Sequence, residues 1–247
     1  MSFAVTVLGS SGMFATTERA AAGYLLEIGG LRIWLDAGPG TWRNLLRLTD
    51  YKDLDGVILT HVHPDHTTDV FGCYHALAYG GRKPLPPIPL WAPAQVLERL
   101  CAYAGQVDIA FDLRPVAAGG TFSVGRAQVM LFEMAHPVET VGVRVDCNGS
   151  TFAYTADSGI EGDLLPLTKG AGLLMSEATL QECDGPDFEG HMSAAQAARV
   201  AREADVKRLV LTHLPPGRDL GVSLAEARAA APEVYATLAT DGERYEL

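Results

Sequence analysis

The sequence has no CxxC pair and no dense cysteine framework. Its four cysteines, Cys73, Cys101, Cys147 and Cys183, stand singly among 247 residues. That excludes a disulfide scaffold and reads as free thiols in a reducing compartment. A basic stripe is also missing. Lys and Arg number 19 against 30 Asp and Glu, a formal net charge of −11. The nearest approach to one is Arg199, Arg202, Lys207 and Arg208, interrupted by Glu203 and Asp205, which reads as a solvated helix face. Binding of long nucleic acid through its phosphates is therefore not expected. Charges such as Glu27 and Arg32 cut every apolar run short of a membrane span. The opening MSFAVTVLGS lacks the basic and long apolar segments of an export signal. A cytoplasmic protein without membrane association is the expectation.

What is present is ordinary globular composition, 48% hydrophobic and 20% charged, with 26 Gly and 14 Pro marking many turns. No linker or internal repeat divides the chain, so residues 1–247 read as a single domain. Strands are expected at 3–8, 23–28 and 31–35, the last two joined by Gly29-Gly30 as a hairpin turn. A short helix should follow, with Thr41 as its N-cap and Leu45, Leu46 and Leu48 inward. A strand at 57–60, a helix over 68–78, a proline-dense loop at 84–89 and a helix over 94–103 come next. Strands then crowd together at 121–124, 127–134, 140–146 and 151–155, with Asn148-Gly149 as a turn. Beyond Asp157, strands at 173–175 and 208–212 alternate with helices at 193–204 and 223–230, and two short strands finish the chain. The order suggests two β/α halves whose sheets face each other with helices outside.

His61-x-His63-x-Asp65-His66 carries the chemistry. It follows an apolar strand, where residues 61 and 63 project to one side. Pro64 then ends the strand and turns the chain. Three imidazoles and a carboxylate within six residues suit Zn²⁺, and Mn²⁺ or Fe²⁺ less specifically. Unmetallated, three protonated imidazoles there would repel one another. One motif supplies too few ligands for two ions. His136, Asp157 and His213 each stand where an apolar strand ends and a loop begins, and complete the set of candidates. His75 and the tryptophans Trp34, Trp42 and Trp91 read as packing or surface residues.

In order and spacing, His61, His63, Asp65, His66, His136, Asp157 and His213 resemble the metallo-β-lactamase fold superfamily. The resemblance covers residues 1 to about 217 of the sequence. It implies an α/β fold, a four-layer αββα sandwich, with two metal ions at one edge of the sheets. It also implies that His61, His63 and His136 hold one zinc, that Asp65, His66 and His213 hold the other, and that Asp157 bridges them. Asp36 matches the Asp that buttresses the metal loop. Ser176-Glu177-Ala178-Thr179 resembles the His-Glu-Ala-Thr motif of ribonuclease Z. The segment Gly190-His191-Met192-Ser193 resembles the His-Ser-Thr segment of the same enzymes. There the His contacts the scissile phosphate and the Glu orients it, which gives His191 and Glu177 here. Position 176 departs from the motif as Ser, and position 192 as Met. Only 20 residues separate His136 from Asp157, so the long arm of the transfer-RNA-processing enzymes has no room. The chain resembles the armless, short-form branch and, within it, the actinobacterial atypical cyclic-nucleotide phosphodiesterases.

The implied activity is hydrolysis of a phosphodiester, a cyclic nucleotide or short RNA-like substrate, by a hydroxide bridging two zinc ions. Asp65 would orient the hydroxide, and His191, aligned by Glu177, would protonate the leaving oxygen. The expected partner is a small anionic diester rather than intact tRNA, and the resemblance implies a homodimer. Two other readings share the ligand set: a thioester or lactone hydrolase resembling glyoxalase II or the lactonases, and a non-catalytic metal-stabilised binding protein.

Overall fold

Gly29 and Gly30 both take positive φ, 61° and 98°, and Asn148 and Gly149 do the same at 52° and 85°. These are the backbone conformations a two-residue turn needs to match strand twist. Each closes an antiparallel hairpin at the place the sequence marks: β2 (Gly23–Ile28) with β3 (Leu31–Leu35), and β9 (Val141–Cys147) with β10 (Ser150–Tyr154). The computed structural model describes residues 3–185 and 189–247. Its strands form two seven-stranded mixed sheets, and the chain separates into two compact units, each built on one sheet.

The first unit comprises the residues up to Ser10, residues 14–117 and residues 240–246. β1 (Phe3–Gly9) lies between β14 (Arg244–Glu246) and β2, both antiparallel to it. From β3 onward the direction changes. β3, β4 (Gly56–Ile58), β5 (Ile88–Ala92) and β6 (Phe111–Pro115) run parallel, and helices occupy the connections between them. These are α1 (Thr41–Leu45), α2 (Pro64–Thr67), α3 (Val70–Tyr79) and α4 (Ala94–Ala104). Their apolar faces bury Trp34, Leu45, Tyr74, Leu77, Val96 and Leu100 against the sheet.

The second unit comprises residues 11–13, 118–239 and 247. β7 (Thr121–Val124), β8 (Ala127–Glu133), β9 and β10 form an antiparallel meander. β8 alternates buried and solvent-facing residues along most of its length, the mark of a half-covered sheet. β10, β11 (Leu173–Glu177), β12 (Arg208–Thr212) and β13 (Tyr235–Leu238) then run parallel. Their crossovers carry α5 (Leu164–Thr168), α6 (Ala194–Glu203) and α7 (Leu220–Ala230). α6 presents the small residues Ala194, Ala197, Ala198 and Ala201 to Leu174, Leu209 and Leu211. Ser193 starts it with a capping box: its hydroxyl accepts from the Gln196 amide, and the Gln196 side chain accepts from the Ser193 amide.

Three sequence expectations change. β5 does not follow from the pattern, because Pro84, Pro86, Pro87 and Pro89 mark that stretch as loop, and β6 is not expected from the sequence either. Pro89 nevertheless sits within β5, in register with Asp112. The cap of α1 is Gly40, at φ 94°, rather than Thr41. The Thr41 hydroxyl is buried and donates to the Gly38 carbonyl at 2.6 Å. Of the three leucines expected inward, Leu45 is buried, while Leu46 and Leu48 are 44% and 50% exposed. The tryptophans behave as packing residues: Trp34 is fully buried, with Trp42 tilted against it. Among the described residues, no helix is long and apolar enough to cross a membrane.

Candidate metal centre

Parallel strands deliver side chains to one edge, because each leaves the sheet at its carboxyl end. In the first unit Leu35 of β3 is in register with Ile58 of β4. Asp36 therefore emerges beside the segment that leads into His61. In the second unit Tyr154 of β10 pairs with Met175, and Glu177 of β11 pairs with Thr212 of β12. Asp157, Glu177 and His213 thus leave three adjacent strands together. Asp36, Ala156 and His213 adopt left-handed φ of 54°, 52° and 53°. Non-glycine residues carry that conformation at a cost, commonly where a functional side chain must be aimed.

In the first unit Asp36 organises the histidine loop from a fully buried position. Its carboxylate accepts from the Thr60 amide at 2.9 Å and from the Thr60 hydroxyl at 2.9–3.0 Å. It also accepts from His66 Nδ1 at 2.8 Å. With its proton committed to Asp36, the Thr60 hydroxyl accepts from His61 Nδ1 at 3.1 Å. Both histidines are thereby fixed in the tautomer that leaves Nε2 a lone pair. The ring centroids of His63 and His66 lie 4.9 Å and 4.2 Å from that of His61. His66 Nε2 stands 3.8 Å from Asp65 Oδ2. Asp69 ties the loop to α1, accepting from the amides of Gly40 and Trp42 at 2.8 and 2.9 Å. Burial pushes its carboxyl above the usual range. Gly38 allows this folding back: a Cβ there would lie 2.0 Å from the Asp65 carbonyl oxygen.

The second unit repeats the device. His213 is buried, and Thr179 Oγ1 lies 2.9 Å from its Nδ1. That hydroxyl donates to the His213 carbonyl and so accepts from Nδ1. His136 Nδ1 donates to the Gly190 carbonyl at 2.9 Å. His191 Nδ1 donates to Glu177 Oε1 at 2.9 Å. Glu177, wholly buried, also accepts from the amides of Ser158 and Thr179. The ring of His191 lies between those of His136, at 5.2 Å, and His213, at 5.8 Å. His213 Nε2 is 3.4 Å from Asp157 Oδ2. One ligand atom each from Asp157, His191 and His213 fall within 4.8 Å of one another. Gly12 permits the close approach of its loop to this group, since a Cβ there would stand 2.8 Å from His213 Nδ1.

The donor set fits a metal ion. Of the expected ligands, His61, His66, His136 and His213 commit Nδ1 to an acceptor and present Nε2 as a lone pair, the arrangement seen for metal-bound histidine. An Nε2 lone pair facing a buried carboxylate at 3.4 Å is relieved by a shared cation. The sequence does not single out Thr60, Thr179, Asp69 or the Gly190 carbonyl. Thr60 and Gly190 adjoin named histidines, and Thr179 lies in the segment quoted for Glu177. Adjacency in the chain was the signal available. Beside the second group, a cavity of about 640 Å³ is lined by His136, Pro137, Ile160, Glu161, His191 and Gln196, among others.

The fold and these clusters define a metallo-hydrolase of the metallo-β-lactamase type. Residues 31–214 match the model of the beta-lactamase superfamily domain, and the chain belongs to that family. It is similar to the probable metallo-hydrolase YhfI of Bacillus subtilis, with 30% identity over 216 residues, covering 85% of this chain and 86% of the relative. It is also similar to the ribonuclease Z of Archaeoglobus fulgidus, with 26% identity over 286 residues, covering 92% and 93%. The crystal structure of the metallo-beta-lactamase fold protein YhfI from Bacillus subtilis superposes with a TM-score of 0.92 and 26% identity, covering all of both chains. The expected fold class is thus borne out, as is the membership of this superfamily.

Proposed function

We propose that the chain is a dinuclear metal-dependent phosphodiesterase acting on a small anionic diester, a cyclic nucleotide or a short RNA-like substrate. The reading joins the two half-sets into one centre, as the resemblance implies. His61, His63 and His136 would hold one ion, Asp65, His66 and His213 the other, and Asp157 both. The donor chemistry fits Zn²⁺, with Mn²⁺ or Fe²⁺ also accommodated. Bound there, the ions would supply Lewis acidity and an activated water near neutral pH.

The observation that carries the phosphodiester reading is the buried Glu177 holding His191. His191 donates from Nδ1 to Glu177 and lines the cavity. The carboxylate stabilises the protonated imidazole, so His191 can hold a proton at Nε2 for a departing alkoxide. Glu177 does not touch substrate. Its three accepted hydrogen bonds fix it, and through it the ring. Asp65 would accept a hydrogen bond from the attacking water and orient it. A thioester or lactone leaves no evident task for this pair. The similarity to ribonuclease Z supports phosphodiester chemistry, while the 20-residue span between His136 and Asp157 has no room for an arm that would grip intact tRNA.

Replacing His191 with Ala should lower kcat on bis-p-nitrophenyl phosphate by about 10²–10⁴-fold, the range for general acid–base groups. Metal content should stay at the wild-type level. Full activity in the variant would remove the assigned role, and loss of one ion would make His191 a ligand instead. Faster turnover of a lactone or thioester than of any diester would overturn the substrate class.

A further inference from the structure

We propose that Arg19, Arg43 and Arg47 form a binding pocket for the phosphoryl group of a small organic ligand, a site separate from the metal-binding residues. The three arginines line a cavity of about 340 Å³ within the first unit. That volume is in the range of small-molecule sites, where walls are mainly apolar and a few polar groups fix orientation. Val7, Leu8 and Leu48 supply the apolar wall.

The placement of the arginines follows from local structure. Arg43 lies in α1. The helical hydrogen bonds continue past its end, from the Leu46 amide to Trp42 and from the Thr49 amide to Leu45. Arg47 follows four residues later in the turn that continues the helix, its amide donating to the Asn44 carbonyl, and both arginines line the cavity. Neither side chain makes an ion pair or hydrogen bond with any described residue. Arg19 approaches from the loop before β2, and its Nη1 is buried without a hydrogen-bond partner among the described residues. A buried guanidinium N–H lacking an acceptor is costly and marks a place for an anion.

Two carboxylates, Glu18 and Asp241, also line the cavity; both feel the charge of Arg19 and both accept hydrogen bonds from neighbouring groups. Asp241 accepts from the Ser10 hydroxyl at 2.8 Å and the Ala20 amide at 2.7 Å. Glu18 accepts from the Thr17 hydroxyl. Three arginines against two carboxylates, both of them facing Arg19, leave an excess of one positive charge on the side of Arg43 and Arg47, on a chain of net charge −11. Arginine forks match phosphoryl oxygens bidentately, which a lysine cluster would not do. The apolar wall and a volume well above that of a bare oxyanion favour an organic phosphate over inorganic phosphate.

The test is protection from arginine modification, using the full-length, metal-loaded protein. Phenylglyoxal labelling is mapped by peptide mass spectrometry, with inorganic phosphate or adenosine 5′-monophosphate as the probe. Either probe should protect Arg43 and Arg47 and leave the exposed Arg126 unprotected. Protection by the nucleotide at lower concentration supports an organic ligand. Equal protection by phosphate supports a bare phosphoryl group. Protection should persist in His191→Ala, which separates this pocket from the metal centre and from the activity assigned to it. In a direct titration, Arg43→Gln and Arg47→Gln should each weaken binding about tenfold, while thermal unfolding shows the variants folded. No protection by either probe at about 10 mM, a concentration that would reveal even millimolar affinity, overturns the proposal. So does unchanged affinity in the Arg43→Gln/Arg47→Gln double variant.

Discussion

At the scale of single residues, the clusters are decided by which nitrogen of each histidine is tied down. Asp36 reaches His66 directly and His61 through the Thr60 hydroxyl. Thr179 does the same for His213, and the Gly190 carbonyl does it for His136. A threonine hydroxyl can play this part because it donates and accepts at once, so a carboxylate or carbonyl on one side fixes the ring on the other. Thr179→Val keeps the shape and removes the acceptor. It should lower metal affinity about 10–100-fold, the usual effect of losing an outer partner, as read by competition with a chromogenic chelator. An unchanged affinity would show that packing alone orients His213. The histidines and aspartates themselves were legible in the sequence, because their residue types and spacing are unusual. Thr60 and Thr179 were not, because threonine is common at the ends of strands and its role depends on what lies within 3 Å.

Among elements, the parallel strands do the positioning. β10, β11 and β12 run side by side and release Asp157, Glu177 and His213 at one edge, although these residues are 20 and 36 positions apart in sequence. α6 is the crossover between β11 and β12, so its start sets where the Gly190-His191 segment stands. The capping box at Ser193 defines that start. Ser193→Ala should cost about 1 kcal/mol, measured as a shift in urea midpoint without a change in slope. No shift would mean that the packed alanines of α6 fix its first turn unaided. The sequence marked this helix correctly because Ser193 and Gln196 carry a local signal. It missed β5 because proline suppresses the local signal for a strand. Parallel pairing with β4 supplies the missing information, and that is not local. The same holds for α1, where Gly40 caps the helix through a left-handed backbone that a threonine in the next position does not announce.

For the whole molecule, a charge of −11 and seven expected metal ligands have to coexist. Clustered carboxylates and imidazoles in buried positions are costly unless a cation compensates them. Metal binding should therefore be linked to folding. Exhaustive chelation should lower Tm by several degrees or more, since a ligand at 100 times its Kd stabilises by about 2.7 kcal/mol. Calorimetry on metal-loaded and chelated protein, with metal content measured in parallel, tests this. An identical Tm in metal-loaded and metal-free protein would exclude a resident ion that stabilises the fold. Re-addition of Zn²⁺, Mn²⁺ and Fe²⁺ in turn would rank the ions by the Tm each restores.

The sequence by itself determined the type of chemistry, because metal ligation needs particular side chains and His61-x-His63-x-Asp65-His66 concentrates them within one reach of chain. It also determined the hairpins at Gly29-Gly30 and Asn148-Gly149 and the boundaries of α6, where the physical cause lies within a few residues. Tertiary structure alone decided which tautomer His61, His66, His136 and His213 hold, that Pro89 is in a strand, and that Arg19 meets Arg43 and Arg47 around one cavity. Those outcomes depend on contacts between residues far apart in the chain, and strand register and burial settle them only once the sheets have formed.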